Sequence, residues 1–187
     1  GYDHRFGKGR EASVTDLKNY SNDLDFKVEE IKAQEIEKIT ISSTKIRNSI
    51  NEGDLITTEK YLGRYFKLTG KVIKGDGLGK KINYPTANLL IKEKYKIIPK
   101  DGVYFIKTKV DNKLYNGMMN IGHRPTIGSN DKSIEVHLFN FHQDIYDKQI
   151  SVDIILKIRD EIKFSSIEAL KEQLLKDENY CLKLINK

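Results

Sequence analysis

The chain has 187 residues, with 33 Lys plus Arg against 27 Asp plus Glu and a formal net charge of +6 at pH 7; that length holds one ordinary domain and an appendage, and excludes two full-sized domains with separate large cores. Hydrophobic residues make up 38%, with 10 Tyr and 7 Phe, which excludes wholesale disorder, and the interspersed charges give a moderate field that suits phosphate-bearing ligands without implying nucleic acid. No run approaches the ~18 consecutive apolar residues of a membrane helix and the N-terminus has no apolar signal core, so a soluble, cytoplasmic protein with no membrane partner is expected.

Residues 14–20 read as a short helix, and residues 26–31 alternate Phe26, Val28 and Ile31 with Lys27, Glu29 and Glu30, a weak strand pattern. Ser42, Ser43 and Thr44 offer N-cap hydroxyls to a helix of about two turns that carries Ile46 and Ile50 and stops at Gly53. Asp54 caps a second, ended by Gly63. Beyond Tyr65 the apolar period falls to two, at Phe66 and Leu68, Val72 and Ile73, then residues 103–106, 114–121, 134–138 and 150–158. Short β-branched and aromatic runs parted by Gly, Asn, Asp and Pro predict an antiparallel barrel or sandwich, with Asp111-Asn112 as a hairpin turn. After Ser165-Ser166, the residues Ile167, Leu170, Leu174, Cys181 and Ile185 mark an amphipathic helix expected to pack across the barrel. Cys181 is the only cysteine, which excludes an intrachain disulfide, and it is expected to pack as a small hydrophobe.

Chemistry is expected in the one long irregular stretch of the β region, Gly75-Asp76-Gly77-Leu78-Gly79-Lys80-Lys81-Ile82-Asn83, which leads into Tyr84-Pro85-Thr86-Ala87-Asn88. Glycines let backbone N–H groups approach an anion, and lysines add charge for phosphate oxygens. The stretch is not a P-loop, because Lys74 stands five residues before Gly79 and Lys81 follows Lys80; nor is it a dinucleotide fingerprint, because Lys80 takes the third glycine's place. A plain glycine-rich hairpin is the alternative. Thr86 and Asn88, two apart, face one side of an extended chain and present two neutral oxygens of the kind Mg²⁺ accepts when phosphates supply the rest; local hydrogen bonding to backbone is the other reading. Glu135, between Ile134 and Val136, is either a solvated outer-face carboxylate or a base in a cleft, the group that phosphoryl transfer to an alcohol uses to accept the hydroxyl proton. His123, His137 and His142 lack ligand spacing and read as structural. Arg159 and Phe164 suit either a flat heteroaromatic ligand or a salt-bridged loop.

Together these pieces resemble the riboflavin kinase module of the prokaryotic bifunctional riboflavin kinase/FMN adenylyltransferases, also called FAD synthetases. The resemblance rests on Leu62-Gly63-Arg64-Tyr65, the glycine-rich stretch into Pro85-Thr86-Ala87-Asn88, Gly102-Val103-Tyr104, Asn120-Ile121-Gly122-His123-Arg124-Pro125-Thr126, Glu135-Val136-His137-Leu138, and Ile158-Arg159 through Phe164, in that order. It implies a mainly β fold over residues 63–187, a small antiparallel Greek-key barrel with a C-terminal helix. The activity it implies is transfer of the γ-phosphoryl of ATP to the 5′-hydroxyl of riboflavin, giving FMN and ADP. By that resemblance Thr86 and Asn88 hold Mg²⁺ and the phosphates, Gly75 and Lys80 lie in a flap over ATP, and Glu135 is the general base. Asn140 and Tyr146 would be further nucleotide contacts, and Arg159, Ile162 and Phe164 would form the flavin side. One departure stands out: the family usually has Gly-Phe or Gly-Ile before Pro-Thr, where this chain has Asn83-Tyr84.

Two N-terminal segments resemble motifs of the adenylyltransferase domain. These are Gly1-Tyr2-Asp3-His4-Arg5-Phe6-Gly7-Lys8-Gly9-Arg10 and Ile41-Ser42-Ser43-Thr44-Lys45-Ile46-Arg47. The second implies phosphate contacts from Ser43, Thr44 and Arg47 at a helix N-terminus. No two His lie three apart, so the H-x-G-H nucleotide motif of that domain is absent. Residues 1–62 are therefore expected to be a C-terminal remnant of an α/β nucleotidyltransferase domain, inactive in making FAD and able to self-associate through exposed strand edges. Two other functions compete: retained FMN adenylylation, and a non-catalytic basic β-barrel binding RNA. The latter needs a concentrated basic stripe with exposed aromatics, whereas the charges here are mixed.

Overall fold

The computed structural model describes residues 5–30, 35–36, 39–75, 77–123 and 132–185, in two units, 1–42 and 43–187. Residues 1–4 and 124–126 of the quoted motifs, together with Ile31 and Asp76, lie outside the described residues.

In the first unit, α1 (Val14–Asp23) begins at a reciprocal cap, where the Asp16 carboxylate accepts from the Ser13 hydroxyl and backbone N–H at 2.7 Å each. Those bonds hold Asp16 below the usual carboxylate range. The alternation at residues 26–30 forms no strand; apolar period alone does not make one where the backbone has no neighbouring strand to pair with. Lys18 instead ties Glu30 back to α1 at 2.9 Å. β1 (Glu35–Ile36) and β2 (Ile39–Thr40) form a minimal antiparallel pair that the sequence pattern does not reveal.

The second unit opens with α2 (Ser43–Glu52) and α3 (Leu55–Leu62). Asp54 caps α3 by accepting from the Thr57 N–H at 3.0 Å, and Gly63 ends it at φ 67, a left-handed cap that glycine adopts without Cβ strain. The buried Ser49 and Thr58 hydroxyls meet at 2.8 Å and join the two helices. Six strands follow: β3 (Phe66–Ile73), β4 (Ala87–Leu90), β5 (Gly102–Val110), β6 (Lys113–His123), β7 (Lys132–Leu138) and β8 (Gln149–Arg159). A single-turn helix, α4 (Leu78–Lys81), interrupts the stretch expected to be irregular, and α5 (Ile167–Ile185) ends the unit.

The strands close a barrel in the order β3-β4-β7-β6-β5-β8, every pair antiparallel. β5, β6 and β7 are sequential neighbours and β8 returns beside β5, the order 4-1-2-3 of a Greek key. Asp111 and Asn112, at φ 45 and 67, make the β5–β6 turn, both residues in the left-handed region that two-residue hairpins require. Along β5, Tyr104 and Ile106 point into the barrel with Leu68, Val72, Met119 and Val136, while Val103 and Phe105 point outward. The outward pair joins Met118, Phe139 and Cys181 in a second cluster under α5, which is why β5 is buried on both faces. Cys181 is fully buried, and burial, then the charges of Asp177 and Glu178, push its thiol up to about 12.

Candidate active site

Strand register assembles the polar residues. Asn88 of β4 stands opposite Glu135 of β7, and Glu135 stands opposite Asn120 of β6. Residues directly opposite share a face, so the three form a row across three strands. That row is on the outer face of the barrel, because Val136, next to Glu135, fills the interior. Thr86, two residues before Asn88, joins it by donating its hydroxyl to Glu135 Oε2 at 3.3 Å. His137, two beyond Glu135, donates from Nδ1 to the Pro85 carbonyl at 2.8 Å and pins the chain leading into Thr86.

The row lines a cleft of about 360 Å³. Three further segments contribute to it: Gly77, Gly79, Ile82 and Tyr84 from the stretch around α4; Arg159, Glu161, Ile162 and Phe164 from the end of β8 onward; and Leu170 and Leu174 of α5. A second cavity of similar volume, about 360 Å³, shares Thr86 and is lined by Lys80, Phe141, His142, Asp144 and Tyr146. Thr86 thus stands at the junction of the two. Gly75 permits the close approach behind them, since a Cβ there would fall 1.9 Å from Asn88 Nδ2. Asn83 adopts φ 64, the left-handed region that asparagine tolerates, so its place before Tyr84-Pro85-Thr86 keeps a turn that glycine would also make.

Arg159 reconciles both sequence readings. Its Nε and Nη2 donate to the Asp177 carboxylate of α5 at 2.8–3.1 Å and its Nη1 donates to the Asp160 carbonyl at 3.0 Å. The charge is therefore already matched, and what remains for a ligand is the planar face of the guanidinium, with the Phe164 ring centroid 5.9 Å from Cζ. Asn140, in the turn after β7 at φ 53, is exposed and lines neither cavity. Ser43, Thr44 and Arg47 are exposed in the first half of α2 and line neither. Among the described residues no group of three His, Cys, Asp or Glu side chains could hold a metal. The donor set that does converge is the Thr86 hydroxyl, the buried Asn88 amide and the Glu135 carboxylate. The two neutral oxygens, beside that carboxylate, suit a hard cation whose remaining ligands are phosphate and water, and so fit Mg²⁺.

A family model described as riboflavin kinase matches residues 62–185. The chain belongs to the riboflavin kinase family. A second model, FAD synthetase, matches residues 1–45. The bifunctional riboflavin kinase/FMN adenylyltransferase of Haemophilus influenzae is 38% identical over 178 residues, covering 95% of this chain and 57% of that protein. Its counterpart in Buchnera aphidicola subsp. Schizaphis graminum is 40% identical over 190 residues, 100% of this chain and 60% of that protein. The chain thus spans 57–60% of the length of these curated relatives. A crystal structure described as a macrolide-efflux protein from Streptococcus pneumoniae matches with a TM-score of 0.84 at 36% identity, over 96% of this chain and 57% of that one. In the described residues here, no helix is long and apolar enough to cross a membrane.

The cleft also contains residues to which the sequence pattern gave no ligand-binding role. Asn120 carried a signal, a polar side chain in an apolar strand, and His137 carried another in its two-residue spacing from Glu135. Tyr84 and Glu161 carried none, because their places depend on how α5 and the chain after β8 pack against the barrel.

Proposed function

We propose that this chain transfers the γ-phosphoryl group of ATP to the 5′-hydroxyl of riboflavin, yielding FMN and ADP. The single observation that carries the reading is the hydrogen-bonded Thr86 and Glu135 pair at the junction of two cavities. One cavity has apolar walls suited to a flat ring, and the other carries Lys80 toward an anionic ligand. Riboflavin occupies the first, its ring beside Ile162, Phe164 and the guanidinium plane of Arg159, and its ribityl chain directed at Glu135. The nucleotide occupies the second, with Lys80 and Tyr146 as contacts; Gly75 allows the flap to approach, and Asn140, outside both cavities here, is a further candidate contact. Glu135 accepts the 5′-hydroxyl proton as that oxygen forms its bond to the γ-phosphorus and the bond to the ADP oxygen breaks in line. Thr86 commits its hydrogen to Glu135, which orients the carboxylate and leaves the hydroxyl lone pairs for a cation. Thr86 and Asn88 would hold Mg²⁺, which when bound neutralises the charge on the transferring phosphoryl group.

The domain assignment is part of the same proposal: residues 63–187 form the kinase domain, and residues 1–62 correspond to the C-terminal part of an adenylyltransferase domain, with Ser43, Thr44 and Arg47 its phosphate-contacting candidates. The matches to residues 62–185 and 1–45 support it. On this reading α2 and α3 pack in one unit with the barrel while belonging by sequence to the other domain. The partners are small molecules, the setting is the cytoplasm where ATP is abundant, and residues 1–62 are the candidate surface for self-association. Incubation with riboflavin and MgATP, resolved by chromatography, should give FMN without FAD and nothing without magnesium. Glu135→Gln should lower turnover by about 10²–10⁴-fold with little loss of riboflavin binding. Near-normal turnover in that variant would remove Glu135 from the role of base.

A further inference from the structure

One side-chain contact joins two segments of the cleft that are remote in sequence. Tyr84, between α4 and β4, donates its phenol to Glu178 Oε2 of α5 at 2.8 Å. The ring is half-buried against the cluster under α5 that contains Val103 and Met118, and its centroid is 5.1 Å from that of His137. Burial first, and the Glu178 carboxylate second, push the phenol up to about 12, so it remains a donor at neutral pH. Tyr84 lines the cleft, and so does Leu174, one turn of α5 before Glu178. The hydrogen bond therefore ties the stretch around α4 to the helix that carries Leu174, two segments that line the same cleft.

From this geometry we propose that Tyr84 and Glu178 are positioning residues that latch the stretch around α4 to α5 and thereby set the rate at which riboflavin leaves the cleft. The proposal rests on the riboflavin reading above. Because Glu135 sits on β7 and holds Thr86, the residue just before β4, by a hydrogen bond, the latch acts on ligand residence and leaves the reacting groups where they are.

The test is stopped-flow release of riboflavin, followed by its fluorescence, from the full chain and from Tyr84→Phe, Glu178→Ala, Glu178→Gln and the Tyr84→Phe/Glu178→Ala pair, with thermal unfolding run on each. Loss of a hydrogen bond to a carboxylate should speed release by about 5- to 30-fold in Tyr84→Phe and Glu178→Ala. In Glu178→Ala, whose side chain does not line the cleft, kcat at saturating riboflavin should stay within about two-fold. Glu178→Gln keeps a carbonyl acceptor and should release within about three-fold of wild type, which carries the test if the alanine variant does not fold. The double variant should release no faster than the faster single, as expected when both substitutions remove one bond. Unchanged release in both singles, multiplying effects in the double, or a loss confined to kcat would each overturn the latch. A wild-type protein that does not bind riboflavin would overturn the kinase reading and the latch with it, whereas binding and turnover in wild type without the pattern in the variants would overturn the latch alone.

Discussion

Replacing Asp177 by alanine should destabilise the second unit and disable the proposed flavin side of the cleft together. The carboxylate is only 3% exposed and accepts from Arg159 Nε and Nη2 at 2.8–3.1 Å and from Gln173 Nε2 at 2.8 Å. Without it the Arg159 side chain, 16% exposed, keeps the Asp160 carbonyl as an acceptor and loses its counter-charge. Breaking a fully buried pair costs about 3–5 kcal/mol; the residual exposure of Arg159 lowers the expected cost here to about 2–4 kcal/mol. For a chain of this size that corresponds to a fall in Tm of roughly 4–16 °C. Urea and thermal unfolding followed by far-UV circular dichroism measure it. Alkylation of Cys181 supplies a local probe: the thiol is one turn from Asp177, fully buried and pushed up to about 12, so it reacts only when α5 opens. A loss below about 1 kcal/mol with unchanged Cys181 protection would refute the reasoning. The paired change Arg159→Met/Asp177→Leu separates stability from position: with both charges gone the desolvation cost disappears, and stability should return to within about 2 kcal/mol of wild type while flavin affinity does not return.

Thr86→Ala should raise KM for MgATP by about ten-fold or more and leave riboflavin binding intact; unchanged magnesium dependence would count against Thr86 as a ligand to the ion. Asp101→Asn should cost about 0.5–1 kcal/mol at pH 7, by loss of the ion pair to Lys132 at 2.9 Å and weakening of the contact to His123 at 2.8 Å. Burial pushes the Asp101 carboxyl up, but the hydrogen bond and charge of Lys132, followed by His123, outweigh it and hold the group below its ordinary value. A depressed carboxylate contributes stability above its unfolded value of about 3.9 and loses it as pH falls through the folded value, so the gap between variant and wild type should narrow below about pH 4. A gap that is constant from pH 7 to pH 3 would refute the pairing.

Elements governed by local chemistry were legible in the sequence. Asp54 and Gly63 bracket α3, Asp111-Asn112 turns β5 into β6, and period-two runs mark five of the six barrel strands. β4 was not recognised as a strand because it has four residues, follows Pro85 and buries Asn88; its pairing with β7 comes from barrel closure. The turn of α4 was hidden by its glycines, and the alternation at residues 26–30 misled because no adjacent strand takes it up. The shared face of Thr86 and Asn88 followed from period two, whereas their meeting with Glu135, 47 residues beyond Asn88, depends on a strand order that no local pattern contains. One signal was present and unused: Leu170, Leu174 and Cys181 form the apolar stripe of α5, and Asp177 stands in it. A charge in a buried stripe requires a partner, and that requirement points to a cation such as Arg159.

The division of labour in this site follows from which parts the barrel holds. The barrel interior is filled by Leu68, Val72, Tyr104, Ile106 and Met119, which leaves the cleft to be built on the outer face. There Asn88, Glu135 and Asn120 are held by ladder pairing on both sides of Glu135, so their spacing is a property of sheet register. The other lining residues come from the short α4 segment, the chain after β8 and one face of α5, joined by the Tyr84–Glu178 and Arg159–Asp177 contacts. Changing the register-held residues would alter the reacting geometry in a site where other contacts persist; changing the joining contacts would alter how those segments meet while the register persists. Substitutions at Glu135 should therefore act on kcat and those at Tyr84 and Glu178 on binding, a separation that a site built wholly of loops would not show.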